Sequence, residues 1–223
     1  MNNWLAGEKM SSKGISENFS TALGLFDYIN PIFYSVTSIT IAVNMYSVMP
    51  IYVFFAYLFG AVISLIFGLT IPTVKLMVGL GKMKFSMPVN LVFYVNSGIF
   101  LSGLMLFDAV IRPSVLMLAL IAIVIVGLLF VVYCKKRKFN TVAVLTGAFG
   151  YMMIYLSMIT YSLRGGMILP VVLYVMAILL FVSLCCIGIK ANLKDARVHW
   201  VIEICNVVCQ MLVATATVVV FLL

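Results

Sequence analysis

The chain has 223 residues, of which 65% are hydrophobic and 9% are charged, and its formal net charge is +8. A soluble domain of this length needs far more polar surface to cover its core, so the composition excludes a soluble globular protein and indicates an integral membrane protein. The basic residues are concentrated in short loops, so the positive charge requires no nucleic-acid partner.

Seven apolar segments are long enough to cross a bilayer as helices, which takes about 20 mostly apolar residues. They are continuous rather than alternating, which indicates helices and not the strands of a barrel. We predict an all-α, polytopic membrane helix bundle with seven transmembrane helices, formed by residues 21–223 after a polar tail of residues 1–20. The predicted spans are 22–46, 50–71, 87–107, 114–133, 141–161, 167–189 and 200–222.

Basic residues occur almost entirely in every second loop. The loops after the second, fourth and sixth spans contain Lys75, Lys82, Lys84, Lys135, Lys136, Arg137, Lys138, Lys190, Lys194 and Arg197, whereas the other loops contain only Arg112 and Arg164. Short basic loops mark the cytoplasmic side of a membrane. The pattern predicts a cytoplasmic N-terminus, an outer C-terminus and, most simply, the cell membrane as location. The predicted boundaries also leave no lysine inside a span.

The first span contains the stretch 26-FDYINPIFY-34. Ser20 or Thr21 is a candidate N-cap at its start. Asp27, Asn30 and Tyr34 follow at helical spacing, so they share one face of the helix. Pro31 removes a backbone donor and frees a carbonyl one turn earlier, which predicts a kink beside Asp27 and Asn30.

The second span has a small residue at every fourth position: Ala56, Gly60, Ser64 and Gly68. Such ridges let helix backbones approach closely in lipid. We interpret this ladder as a packing seam against a neighbouring helix, a second copy of the chain or a partner membrane subunit.

The third and seventh spans repeat the polar pattern of the first. Each has an asparagine, a large polar side chain four residues on and a small residue four further, as in Asn90–Tyr94–Gly98 and Asn206–Gln210–Ala214. The fifth span has a looser version in Gly147, Tyr151 and Tyr155. His199 and Glu203 extend the stripe of the seventh span. This predicts a polar interior lined by the odd-numbered spans and open to the cytoplasm, with the even-numbered spans outside.

The fourth and sixth spans are almost wholly apolar and are predicted to face lipid. Cys134 precedes a basic run at the cytoplasmic edge of the fourth span, which is the setting of a lipidation site. The chain contains no zinc-binding, nucleophile-elbow or nucleotide-binding motif. We therefore expect no metal, no cofactor and no enzymatic activity, with an intramembrane hydrolase assembled across helices as the alternative.

These features favour a small-solute or ion transporter, or a permease subunit, in contact with the lipid bilayer. The candidate substrate-binding residues are Asn30, Tyr34, Asn90, Tyr94, Glu203, Asn206 and Gln210. The candidates for coupling to protons or ions are Asp27, Glu203 and His199. The alternatives are a sensory or regulatory subunit that signals through the basic loops, and an assembly or scaffold protein that uses the small-residue ladder. The polar residues can also serve only as hydrogen bonds between helices.

Overall fold

The computed structural model describes residues 20–82, 89–112, 115–136, 139–190 and 196–222. The regular structure of these residues is entirely helical, which confirms the all-α prediction. The helices are α1 (Thr21–Asp27), α2 (Ile29–Met45), α3 (Ile51–Gly79), α4 (Val89–Ile111), α5 (Val115–Lys136), α6 (Phe139–Arg164), α7 (Ile168–Lys190) and α8 (Ala196–Leu222).

Five helical stretches are long and apolar enough to cross a membrane: Ile51–Gly79, Leu91–Ile111, Thr141–Arg164, Ile168–Cys185 and Trp200–Leu222. The other two predicted spans are also helical. The fourth corresponds to α5, whose described apolar stretch, Ile121–Phe130, is shorter. The first is divided between α1 and α2. The chain is thus a multi-pass membrane helix bundle.

The first span breaks at Tyr28, between α1 and α2. Ser20 caps α1, because its hydroxyl accepts a hydrogen bond from the Leu23 amide at 3.2 Å. Pro31 has no amide hydrogen to donate to the carbonyl of Asp27, four residues earlier, and α1 ends at that residue. The helical hydrogen-bond pattern is therefore interrupted next to the acidic side chain, while the bend predicted at Pro31 stays a prediction.

The helix of the second span, α3, extends to Gly79, eight residues beyond its predicted end. The prediction placed Lys75 in a loop, and this is wrong: Lys75 lies within the helix. The sequence between Leu69 and Val78 is otherwise apolar or hydroxylic, so the helix continues through Pro72 and the lysine without an interruption.

Glycine residues hold α3, α4 and α6 close together. A methyl group placed on Gly60 of α3 would lie 2.7 Å from the carbonyl oxygen of Gly98 on α4. A methyl group on Gly150 of α6 would lie 2.6 Å from the Cα of Phe100 on α4. The predicted small-residue seam therefore faces a neighbouring helix of the same chain. Another face of α3 is open, since Tyr52, Phe55 and Phe59 are more than 60% exposed. This helix therefore lies at the periphery and contributes one face to the interior, so the prediction that the even-numbered spans lie outside holds for it only in part.

The helices α5 and α7 lie at the periphery, as predicted. Side chains such as Ile123, Phe130 and Leu179 are more than 60% exposed on them. The inner face of α7 packs on α8, where the Tyr174 hydroxyl lies 2.6 Å from the Thr217 hydroxyl. Thr217 donates its own proton to the Val213 carbonyl, so Tyr174 is the donor of the pair.

Replacing Tyr174 with phenylalanine removes this buried donor. We expect a loss of about 1 kcal/mol in the free energy of unfolding, because the hydroxyl of Thr217 then loses a partner in the core. Thermal unfolding of the purified protein in detergent measures the effect. Tyr52→Phe is the matched control, since Tyr52 is 70% exposed. Equal melting temperatures for the two variants would contradict the assigned role of the hydrogen bond.

Candidate functional site

The break between α1 and α2 positions two polar side chains of the first span. Asp27 is the last residue of α1, and Asn30 lies in the first turn of α2. The Asn30 side-chain amide donates to Asp27 Oδ1 at 3.3 Å and to Glu203 Oε2 of α8 at 3.1 Å. Asn30 therefore joins the first and last membrane segments of the chain.

A lysine lies between the two acids. The Nζ atom of Lys75 is 2.6 Å from Asp27 Oδ2 and 2.9 Å from Glu203 Oε1. The side chains are largely buried, with 11% of Lys75 and 10% of each acid exposed. We call Asp27, Asn30, Lys75 and Glu203 the charged cluster. Three helices that are distant in sequence, α1, α3 and α8, each supply one of its charges.

Sequence reasoning identified three members of this cluster and missed Lys75. Asp27, Asn30 and Glu203 were predicted from helical spacing, and the structure brings them together. The sequence pattern assigns Lys75 only to the basic loop after the second span. A signal was present, since Ser64, Gly68, Pro72 and Lys75 are spaced by four, four and three residues and so continue one face of α3.

A pocket of about 160 Å³ adjoins the charged cluster. It reaches from Asp27 to Tyr34, which is about two helical turns. Four other helices also contribute to its wall. The residues are Ser64 and Gly68 from α3, Val95 and Ile99 from α4, Tyr151 from α6, and Asn206 and Gln210 from α8. The lining is polar at the cluster and becomes aromatic towards the centre of the bundle.

Two tyrosines close the pocket towards the bundle centre. The Tyr34 ring meets the Tyr151 ring edge-on, with centroids 6.4 Å apart. The Tyr34 hydroxyl lies 3.2 Å from that of Ser102, and the Tyr151 hydroxyl accepts from Gln210 Nε2 at 3.2 Å. Both rings are therefore held by hydrogen bonds as well as by packing. Beyond them the core contains the fully buried side chains of Tyr57, Tyr155 and Tyr174.

The other end of the bundle has a second, different pocket. Its volume is about 610 Å³, and its lining includes Arg112, Tyr161 and Arg164. The Arg164 guanidinium donates to the Val110 carbonyl at 2.6 Å, so it caps the C-terminal end of α4. This is the favourable end of a helix for a cation.

The structure separates Tyr94 from the other predicted binding residues. Tyr94 is 45% exposed, and its ring stacks on Phe67 with centroids 4.8 Å apart. The pocket is instead faced by Val95 and Ile99 of the same helix. One residue corresponds to a rotation of about 100° around a helix, so Tyr94 lies on the outside of the α3–α4 contact. We leave it out of the candidate site.

The four residues of the predicted small-residue ladder differ in how closely they pack. In the small-residue ladder, Gly60 and Ser64 contact α4, and the Ser64 hydroxyl donates to the Val95 carbonyl at 3.0 Å. A methyl group on Gly68 would lie 3.8 Å from Pro31. Ala56, one turn before Gly60, is partly exposed.

Four further predictions fall outside what the structure describes. The side chains of Asn90, His199 and Cys134 belong to this group, and so does the tail before residue 20. The substrate-binding, coupling and lipidation roles suggested for these residues stay predictions. Among the described residues, no group of three or more histidine, cysteine or acidic side chains has the arrangement of a metal site.

Comparison with protein-family models, with curated proteins and with solved structures finds no match to this chain.

Proposed function

We propose that the protein is a membrane transporter, or a permease subunit, for a small solute or ion that enters the pocket from the cytoplasmic side. The observation that carries the proposal is the charged cluster, which brings two acids and a lysine together beside a polar pocket inside a membrane bundle. Its position at the end that bears Lys82 and the basic loops supports cytoplasmic entry.

Stability alone does not account for these charges. Replacing a buried group of ion pairs by apolar residues of similar size is often neutral or stabilising. Ionisable side chains within membrane segments are costly, and they typically mark substrate or ion pathways. A bundle that needed only cohesion between α1, α3 and α8 could obtain it from neutral side chains.

The surrounding helices also suit a movement of the pocket wall. The helix is interrupted at Tyr28, and a methyl group added to Gly68 would still lie 3.8 Å from Pro31, so the contact between α2 and α3 has room there. Broken helices beside a polar site are common binding and hinge elements in transporters. A methyl group on Gly24 would lie 2.8 Å from the backbone of Leu76, so α1 is packed closely on α3. In our proposal, the start of α2 moves relative to α1 and α3, while the tightly packed α4 and α6 stay in place.

Glu203→Gln should abolish solute uptake while the protein still inserts and folds. The substitution keeps the shape of the side chain but removes the charge that faces Lys75. Uptake is measured with purified protein in proteoliposomes, against a panel of small cations, neutral solutes and anions. Ser183→Ala is the control, because Ser183 is exposed on α7 and its hydroxyl only bonds to the Leu179 carbonyl of its own helix.

Unchanged uptake by Glu203→Gln would remove the glutamate from the mechanism. A complete lack of flux in the wild type, together with a cytoplasmic protein that co-purifies in stoichiometric amount, would contradict transport and favour the regulatory alternative.

A further inference from the structure

The charged cluster has an excess of negative charge. Its two carboxylates and one ammonium group carry a formal charge of −1 when all are ionised. Among the side chains that the structure describes, the other basic groups are distant or exposed: Arg112 and Arg164 line the pocket at the opposite end, and Lys82 is exposed. An uncompensated charge in a membrane bundle favours a positively charged partner.

Asn30, which lines the pocket, also has an unused hydrogen-bond acceptor. Asn30 Oδ1 is buried and accepts no hydrogen bond from any described residue. Its orientation is fixed, because the amide nitrogen of the same side chain must face the two carboxylates. A buried acceptor of this kind has a free-energy cost until a donor reaches it. The partner that suits the site is therefore cationic and has N–H groups to donate.

Lys75 shows how such a partner would be held. Its ammonium group is a tethered cation, and it contacts both acids at 2.6 and 2.9 Å, the distances of charge-assisted hydrogen bonds. The adjoining volume of about 160 Å³ has room for roughly five water molecules. Tyr34 and Tyr151 also line this volume, and aromatic rings can attract a cation.

We propose that the pocket binds a small organic cation with a protonated amine, and that Lys75 competes with this ligand for the two carboxylates. The inference rests on the proposed function, since it names the class of solute for the same site. In the absence of the ligand, the lysine neutralises one acid and holds α1, α3 and α8 together. When the ligand arrives, its ammonium group takes over part of that role.

The two charged partners should then have opposite effects on binding. Glu203→Gln should weaken the binding of an alkylammonium ion about tenfold or more, because one charged acceptor is lost. Lys75→Gln should strengthen the same binding by a similar factor, because the internal competitor is removed and the excess charge doubles. If Lys75 served only to hold the helices together, its removal would weaken the binding of the alkylammonium ion or leave it unchanged.

The test is isothermal titration of the full-length protein in nanodiscs with methylammonium and propylammonium at constant ionic strength. Propanol and butyrate serve as neutral and anionic probes, and sodium and potassium as cations without N–H groups. Should Lys75→Gln fail to fold, the double variant Lys75→Gln with Asp27→Asn retains a formal charge of −1 without the competitor. It should bind the ammonium ions at least as tightly as the wild type.

Thr37→Val is the control variant, because Thr37 is buried one turn above Tyr34 and does not line the pocket. Tighter binding of propanol or butyrate than of the ammonium ions would overturn the inference, as would weaker ammonium binding in both lysine variants. The binding measurement is independent of the uptake measurement that tests the proposed function. Ammonium binding without uptake would contradict only transport, whereas uptake of neutral or anionic solutes alone would contradict only this ligand class.

Discussion

Lys75→Met should destabilise the protein by about 3 kcal/mol, because it leaves two largely buried carboxylates without their shared cation. The contacts at 2.6 and 2.9 Å show that the lysine serves both acids at once. Its removal would also loosen α1 and α8 from α3. Thermal unfolding in detergent without added amines measures the loss, and we expect it to exceed the effect of either single acid substitution.

The control for this prediction is the fully neutral triple variant, in which Asp27→Asn and Glu203→Gln accompany Lys75→Met. It should recover most of the stability, because no uncompensated charge remains. If the triple variant were as unstable as Lys75→Met alone, the loss would come from packing of the lysine stem, and the electrostatic account of the cluster would be wrong.

Gly60→Leu should destabilise the bundle by about 3 kcal/mol, since overpacking forces the surrounding backbone to shift. The obstacle on α4 is backbone: an added Cβ would lie 2.7 Å from the Gly98 carbonyl oxygen and 2.8 Å from the Ser102 amide nitrogen. Neither atom can rotate away as the end of a side chain could. Thermal unfolding and the fraction of monodisperse protein after purification measure the effect.

Gly127→Leu is the matched control on α5. A methyl group there would meet no atom within 4 Å, so the substitution should leave stability unchanged or raise it slightly through better helix propensity. Similar losses in the two variants would show that the close approach of α3 and α4 is not what makes Gly60 necessary.

The fold was largely predictable because membrane helices have a strong and simple signal. Continuous apolar segments identified the helices, and the period of four identified Gly60 and Ser64 as a packing face. The partner of that face could not be predicted. The close contacts of Gly98 with Gly60, and of Gly150 with α4, depend on which helices are neighbours, and spacing within one helix contains no such information.

The candidate site was predictable where its residues share one face of a single helix. Asp27, Asn30 and Glu203 were found from periodicity, and the structure places them within hydrogen-bond distance of each other or of Lys75. The lysine was missed because basic residues after a span usually mark the cytoplasmic side. Tyr94 was wrongly grouped with the pocket, because the rotation of α4 is fixed by its glycine contacts with α3 and α6.

The length of α3 has a consequence for the electrical work of any charge movement through the bundle. Its 29 residues extend about 43 Å, well beyond the hydrocarbon thickness of about 30 Å, and Lys75 lies in the last two turns. If the hydrocarbon layer is centred on this helix, the charged cluster lies in its outer part, and most of the transmembrane voltage falls across the tyrosine-rich layer between Tyr34 and Arg164. In the transport that we propose, loading of the pocket would then sense little of the field, and the later crossing step would bear nearly all of it.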